Sequence, residues 1–156
     1  MENIFSKYLS PKSAKRILSG NFPDVPMRNR IIHLLLVQVK DDNLDGVEPL
    51  ITSASEILMQ KDFAIQCVTS SLIVAFLGFP SKEPENPVEI CRQTIRELTD
   101  NHRGKLKVLY ANVPGRIGGY GHPKRVTFGP LVPRFDLILK QLVGLNYGEF
   151  GEYRQE

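Results

Sequence analysis

The sequence of 156 residues has no tryptophan, only two cysteines and no apolar stretch long enough to cross a membrane. Cys67 and Cys91 lie apart, and neither has the second cysteine or the nearby histidine that a zinc site needs. Two small core residues in a reducing compartment are therefore expected, without a disulfide or a metal. The longest apolar run, residues 72–79, is far shorter than the ~20 residues of a transmembrane helix, and no secretion signal is visible. The expected location is the cytoplasm, with no membrane partner.

The sequence also has only a small excess of positive over negative charge. The 20 lysines and arginines exceed the 17 aspartates and glutamates by three, which is too few to require nucleic acid or an acidic membrane as a partner. A hydrophobic fraction of 42% and a charged fraction of 24% are ordinary for a globular chain and exclude a wholly disordered one. The length suits one domain. It divides into an N-terminal helix and lead-in over residues 1–29, a core over 30–143 and a polar, loose tail over 144–156.

The apolar pattern predicts alternating strands and helices. Residues 31–39 are almost continuously apolar, which predicts a central strand covered on both faces. Pro11 and Gly20 bound a short N-terminal helix. Later segments predict a helix, a hairpin of two strands, a helix, two strands and a last helix, at 47–58, 63–69 with 72–79, 88–98, 106–113, 126–128 and 132–143. This order predicts an α+β fold of ferredoxin-like βαββαβ topology, with one mainly antiparallel sheet and the helices mainly on one face.

Two segments contain residue types that bind ions. The glycine-rich residues 115–121 resemble a phosphate loop, but such a loop needs a helix N-terminus after it, and here residues 122–125 and another strand follow. A glycine-rich hairpin bend is therefore favoured. Asp41, Asp42 and Asp45 form an acidic turn that could hold a divalent cation. Their spacing does not match an EF-hand loop, and acidic residues before a helix complement its dipole, so a solvated turn is favoured.

The three histidines show no pattern of a catalytic site. His33 lies in an apolar strand, and His102 and His122 lie in predicted loops. No serine or cysteine nucleophile is paired with any of them in the sequence. Structural or solvated roles are therefore expected for all three.

The order of the elements is accompanied by a resemblance to a known family over residues 5 to about 142. Residues 5–11, FSKYLSP, resemble the lead-in of bacterial class III nucleotide cyclase domains. Four further segments resemble the family. They are the first strand at residues 34–39, and the hairpin at residues 70–80, whose second strand ends in Gly78 and Pro80. The other two are a bend with Gly118 and Gly121, and the strand before the last helix at residues 125–132. Five such segments in the family's order imply the fold of adenylate and guanylate cyclase catalytic domains.

The same resemblance implies which positions would be catalytic, and this chain has other residues there. In the family, two aspartates hold two divalent ions that activate the ribose 3′-hydroxyl and clamp the triphosphate. Gln38 and Ser71 stand at these positions, and Cys67 stands where a lysine reads the base. Pro133 and Leu137 replace an asparagine and an arginine that orient the ribose and stabilise transition-state charge across the dimer interface. No catalytic, cofactor-binding or metal-binding residue is therefore expected.

A domain without these residues is expected to act by interaction. The family builds its active sites between two subunits, so the resemblance implies a dimerisation or regulatory module in signalling, either as a homodimer or with a cyclase-like partner. Asp41, three residues after Gln38, and Arg134, next to Pro133, are neighbours that cannot restore all five positions. The dimer surface is expected to be an apolar sheet face, because the first strand and the hairpin strands are apolar on both faces and helices on one face cover only alternate residues.

Two other functions remain open from the sequence. A non-catalytic nucleotide-binding sensor would need a cation in the crevice, for which Lys124 and Arg125 are candidates. An RNA-binding ferredoxin-like module would need aromatic residues interleaved with lysine or arginine on an open strand. Residues 105–110 alternate suitably but contain a single aromatic residue, Tyr110. Nucleotide binding therefore stays open, and nucleic acid is not expected.

Overall fold

The computed structural model describes residues 26–79 and 82–155. Within these residues it has six strands and three helices: β1 (Arg28–Val39), α1 (Leu44–Gln60), β2 (Ala64–Thr69), β3 (Leu72–Phe76), α2 (Pro87–Asn101), β4 (Leu106–His122), β5 (Arg125–Leu131), α3 (Phe135–Val143) and β6 (Phe150–Glu152). The predicted N-terminal helix and the FSKYLSP lead-in lie outside the described residues. None of the helices in the described ranges is long and apolar enough to cross a membrane.

The sheet confirms the predicted topology. Its strands follow the order β2-β3-β1-β4-β5, and each neighbouring pair is antiparallel. The first four of these strands, with α1 and α2 as the two crossovers, are the ferredoxin-like βαββαβ unit. β1 is central, as its continuous apolar run predicts, with β3 on one side and β4 on the other.

The C-terminal tail is not loose, contrary to the sequence expectation. β6 pairs in parallel with the first part of β4, where Val108 lies opposite Phe150. The backbone N–H of Tyr153 then donates to the carbonyl of Tyr110 at 2.7 Å. This part of β4 has no other strand on that side, because β5 pairs only with the part of β4 from Arg116 onward. The tail therefore satisfies backbone groups that would otherwise form an open sheet edge.

Helices cover both faces of the sheet. α1 and α2 pack on the face that carries Leu35, Val37 and Val39, and together they bury the larger core cluster. The prediction that helices lie mainly on one face is met by these two. α3 differs, because its apolar residues Ile138 and Leu142 pack on the opposite face.

This third helix removes the apolar surface that the sequence analysis assigned to a dimer. The second cluster contains Leu34 and Leu36 of β1 and Val74 and Phe76 of β3, and all four are buried within the single chain. The expected apolar sheet face is therefore not open, so the expectation was wrong on this point. Its physical cause is that α3 and the arm formed by β4 and β5 cover the face that α1 and α2 leave free.

The glycine-rich segment forms a strand rather than a bend. Residues 115–121 continue β4, and the chain reverses only after His122. The prediction of a bend at the glycines was therefore wrong, although the preference against a phosphate loop stands, since β5 follows instead of a helix. Gly118 has φ +151°, and a Cβ there would lie 2.6 Å from the carbonyl oxygen of Pro26. The missing side chain thus permits close approach of two backbones.

Candidate functional site

The two positions that the resemblance assigns to metal-binding aspartates lie together at one end of β1. Gln38 pairs across the strands with Leu72, and the backbone N–H of Val39 donates to the Ser71 carbonyl at 2.8 Å. The Gln38 side-chain amide donates a hydrogen bond to the Ser71 hydroxyl. That hydroxyl in turn donates to a carboxylate oxygen of Asp41 at 3.0 Å. We call Gln38, Ser71 and Asp41 the polar chain.

The hairpin that carries Ser71 keeps a backbone shape suited to glycine. Ser70 has φ +53°, in the left-handed region. The resembled family has glycine at this position, and a residue with a Cβ is disfavoured there by roughly 1–2 kcal/mol. The turn geometry is therefore retained although both residues of the Gly-Asp pair have changed.

Lys107 is a fixed cation beside the polar chain. It is the residue opposite Gln38 on β4, and directly paired residues project from the same face of the sheet. Its ammonium donates to the carbonyls of Val143 and Leu145, at 3.4 and 3.2 Å, and lies 5.0 Å from the centre of the Tyr147 ring. The C-terminal carbonyls of α3 carry partial negative charge, so they hold this ammonium in place. The sequence analysis considered Lys107 only within residues 105–110 as a candidate RNA-binding strand. It did not place Lys107 beside Gln38, because the pairing of two distant strands leaves no local motif.

The acidic turn lies near this lysine, since Asp41, Asp42 and Lys107 all lie close to Tyr147. Burial raises the pKa of Tyr147, and the nearby carboxylates of Asp41 and Asp42 raise it further. Among the described residues, no group of three or more His, Cys, Asp or Glu side chains is placed to hold a metal ion. The Asp41 oxygen is already an acceptor for Ser71. Two hard divalent ions need several anionic or carbonyl oxygens each, so the residues of this corner do not fit the ions that the family uses.

The remaining family positions lie elsewhere in the chain. Cys67 lies on the edge strand β2, opposite Val74. Pro133 lines a groove with Ile31, at the other end of β1 from Gln38. Seven residues of strand separate Ile31 from Gln38, or roughly 23 Å. Leu137 lies in α3, half-buried. One chain therefore brings Gln38 and Ser71 together but holds Pro133 apart from them.

Arg134 and Lys124, two of the cations considered from the sequence, lie away from the polar chain. Arg134 has φ +57°, is largely exposed and lies 3.6 Å from the Asp136 carboxylate at the start of α3. Lys124 is exposed in the turn between β4 and β5, where its backbone N–H donates to His122 Nδ1 at 3.1 Å. Neither residue lines the crevice described next.

A crevice of about 320 Å³ lies on the sheet face beside α3. It is lined by Leu34, Val74, Phe135 and residues of the β4–β5 arm. Its polar side chains are Gln66 and Tyr120, and the Gln66 amide donates to the Tyr120 hydroxyl at 3.3 Å and to the Pro130 carbonyl at 3.1 Å. No charged side chain is present among the described lining residues, so none of these residues could compensate the charge of a triphosphate.

His33, in the middle of β1, is buried and is the centre of a polar network that extends to the half-exposed Glu83. Its Nδ1 lies 2.7 Å from the Tyr110 hydroxyl, and its Nε2 lies 3.3 Å from a Glu83 carboxylate oxygen. Arg30 contacts the same carboxylate at 3.1 Å and donates to the Gly78 carbonyl at 2.7 Å. Burial lowers the pKa of His33, the Glu83 carboxylate opposes that effect, and Arg30 adds to it. The ring is therefore neutral at pH 7, with Tyr110 donating to Nδ1 and the Nε2–H donating to Glu83.

This arrangement makes the free energy of unfolding depend on pH through His33. An unfolded histidine titrates near pH 6.5, and the folded pKa is lower, so below about pH 6.5 the unfolded chain binds more protons. We expect the contribution of His33 to be complete above about pH 6.5 and to be lost as the pH falls towards the folded pKa. The measurement is urea unfolding of the wild type and of His33→Gln between pH 5 and 7.5. The difference between the two proteins should shrink at acid pH; a constant difference would contradict this assignment.

The other histidines and Cys91 have structural contacts. His102 Nδ1 lies 2.9 Å from the Leu98 carbonyl, and its Nε2 lies 2.8 Å from the Ser53 hydroxyl. The contact with Ser53 joins α1 to the end of α2 and lines neither of the cavities described, which agrees with the structural role expected for His102. Cys91 is fully buried, and burial raises the pKa of its thiol to about 12. It is the inert core residue that the sequence predicts.

Comparison with known proteins identifies the fold. No protein-family model and no curated protein matches the sequence. A bacterial light-regulated adenylyl cyclase is similar over 95% of this chain, with a TM-score of 0.71 and 10% identity, and this chain spans about half (51%) of it. The guanylyl cyclase domain of the RhoGC fusion protein from Blastocladiella emersonii is similar in two structures. One, described as dimeric, has a TM-score of 0.62 at 6% identity over 79% of each chain; the other, described as monomeric, has 0.61 at 5% over 81% of each. The fold is that of adenylyl and guanylyl cyclase catalytic domains, as the sequence resemblance implied.

Proposed function

We propose that this chain is a nucleotide cyclase-like domain without catalytic activity, which acts by associating with a second copy or with a cyclase-like domain in signalling. The observation that carries the proposal is the polar chain of Gln38, Ser71 and Asp41. It contains Gln38 and Ser71, the two positions that the sequence resemblance assigns to metal-binding carboxylates. Its members are joined to one another by hydrogen bonds, two of them are neutral, and a lysine lies beside them.

The direction of the hydrogen bonds supports the loss of metal binding. The Gln38 amide donates to the Ser71 hydroxyl, and the Ser71 hydroxyl donates to Asp41. A metal ion requires oxygen lone pairs, whereas an amide NH₂ directs positive hydrogens towards its partner. Rotation of the amide would turn its oxygen towards Ser71, whose single hydroxyl proton could then bond to Gln38 or to Asp41 but not to both.

The fixed ammonium of Lys107 supports the same conclusion. It is held on the Gln38 side of the sheet by two carbonyls at the end of α3 and by the Tyr147 ring. A divalent ion next to Gln38 would be repelled by this ammonium. Moving the lysine away would leave the α3 carbonyls without their partner.

Association is the activity left to such a domain. The neighbours with the same fold include one structure described as dimeric and one described as monomeric, so the fold permits association without imposing it. The apolar sheet face is closed in this chain, and the open surface lies at the groove that contains Pro133.

Sedimentation equilibrium with and without nucleotide tests this function. We expect a concentration-dependent dimer of the 17.6 kDa chain. In a separate thermal unfolding measurement, millimolar ATP or GTP with magnesium should not raise the Tm, whereas a bound ligand would stabilise the fold by mass action. The same buffer without nucleotide is the matched control. A single 17.6 kDa species at high micromolar concentration would contradict association. A clear rise of Tm would favour the nucleotide sensor.

The RNA-binding alternative has less support. Tyr110, the one aromatic residue of the candidate strand, is buried under α2 and stacks on His33 with ring centres 6.0 Å apart. Lys107 of the same strand is engaged by α3. Neither side chain is available to stack on or contact an RNA strand.

A further inference from the structure

The contact between Ser53 and His102 pairs an accessible hydroxyl with a buried imidazole. The Ser53 hydroxyl oxygen lies 2.8 Å from His102 Nε2. Ser53 is exposed on α1, whereas His102, directly after α2, is only 8% exposed. Neither residue belongs to the polar chain or lines either cavity. A small molecule in solution can therefore reach the serine oxygen without entering the sites described above.

The hydrogen bonds of the His102 ring assign its proton. Nδ1 lies 2.9 Å from the Leu98 carbonyl oxygen, which can only accept, so Nδ1 carries a proton and donates it. In the neutral ring Nε2 then has a lone pair, and the Ser53 hydroxyl donates to it. A serine is activated as a nucleophile when its hydroxyl donates to a base that a third group orients. Here the Leu98 carbonyl is the orienting group.

Both members of the pair are held by regular structure. Ser53 lies in the middle of α1, and Leu98 lies one turn before His102 in α2. The His102 carbonyl accepts from the backbone N–H of Lys105 at 3.0 Å, which closes the turn after the helix. Ala54 and Leu98 are both fully buried in the core cluster that α1 and α2 share. Rigid helices therefore maintain the distance between hydroxyl and imidazole.

We propose that Ser53 is a nucleophile activated by His102, and that it accepts an acyl group from an activated carboxylic ester. The Ser53 oxygen attacks the ester carbonyl carbon while its proton passes to His102 Nε2. The bond from that carbon to the leaving oxygen then breaks, and the leaving oxygen takes the proton from Nε2. The products are an acyl ester on Ser53 and the free alcohol, so the step needs no metal and no oxidant. It is independent of the proposed function.

The acyl group also changes the contact between the helices. An esterified Ser53 has no hydroxyl proton to donate, so the hydrogen bond from α1 to His102 is lost. The imidazole remains buried with one nitrogen unpaired, which is unfavourable. Acylation at Ser53 therefore weakens the packing of α1 on the end of α2.

Labelling of the wild-type protein with p-nitrophenyl acetate tests the proposal. After digestion, fragmentation in a mass spectrometer gives the rate of acetylation at each serine. Ser70, exposed in the turn between β2 and β3, is the reference in the same sample. A positioned general base typically accelerates a reaction by about 10²–10⁴-fold, so Ser53 should be acetylated at least about tenfold faster than Ser70. Equal rates at the two serines would overturn the proposal.

The variant His102→Gln separates the base from the hydrogen bond. A glutamine amide can still accept from the Ser53 hydroxyl, but it cannot take its proton. We expect acetylation of Ser53 to fall at least about tenfold, because the general base is lost. Acetylation of Ser70 should stay unchanged, which also shows that the fold is retained. A rate at Ser53 that is the same in both proteins would contradict the role of His102.

The pH dependence of the wild-type rate is a second readout, which needs no variant. Only the neutral imidazole can take the hydroxyl proton, so the rate at Ser53 should rise with pH and then level off when His102 is neutral. The rate at Ser70 should instead keep rising with the hydroxide concentration. A rate at Ser53 that follows hydroxide throughout would show an ordinary exposed serine and would overturn the proposal.

Discussion

Protein incubated with ATP or GTP and magnesium or manganese is expected to form no cyclic nucleotide above the uncatalysed background. Under the proposed function, Gln38 and Ser71 bind neither of the two ions that activate the attacking hydroxyl and clamp the triphosphate. Under the same proposal, Cys67, Pro133 and Leu137 supply neither the base-reading cation nor the transition-state charge. Removing one electrostatic donor of this kind typically lowers kcat by a factor of 10²–10³. Losing all of them together leaves no measurable rate, which chromatography of the nucleotides after long incubation would verify.

The variant Gln38→Asp with Ser71→Asp tests whether the two carboxylates alone are enough for cyclic nucleotide formation. It restores both carboxylates, but Lys107 remains beside them and the other three positions stay changed. We therefore expect it to remain inactive. The control is Asp41→Asn with Asp42→Asn, which removes the carboxylates nearest to the polar chain. Product from the wild type that survives this control but disappears in Gln38→Ala would show that Gln38 supports catalysis and would overturn the proposed function.

The strands and helices were largely predictable because local pattern and tertiary fold agree over most of the chain. The continuous apolar run of β1, the two-residue hairpin turn at Ser70 and Ser71, and the helical stripes of α1 and α2 each determine one element. The order of these elements then determines the sheet order, since βαββαβ has few alternatives. The pairing of Gln38 with the hairpin follows from that order, because β1 and β3 are neighbours in the sheet.

What the sequence did not reveal depends on long-range contacts. The glycines of β4 read as a bend because glycine weakens a strand, and only the approach of the Pro26 backbone explains Gly118. The sequence predicted a loose tail because the tail is polar. Its pairing with β4 uses backbone hydrogen bonds, which do not depend on a recognisable pattern of side chains. Ser53 and His102 meet across 49 residues of sequence, and Lys107 meets Gln38 through strand register. In each case the partner is distant in the chain, so no local pattern marks it.

The position of α3 decides whether the sheet face is closed, and adjacent residues of that helix allow a matched test. Leu142 is 1% exposed and packs in the second core cluster, whereas Val143 is 70% exposed. We expect Leu142→Ala to lower the free energy of unfolding by about 2–5 kcal/mol, because it removes buried methyl groups and leaves a cavity against the sheet. Val143→Ala should change it by less than about 0.5 kcal/mol. Urea unfolding of the two variants beside the wild type provides the measurement.

The comparison of these two variants bears directly on where a second subunit could bind. If α3 is packed as described, the residues beneath it, such as Leu36 and Phe76, are unavailable to a partner, and association must use an outer surface. If both variants had equally small effects, α3 would not be packed on the sheet. The apolar face would then be open, and a dimer through that face, which the sequence pattern alone favours, would become the expected mode of association.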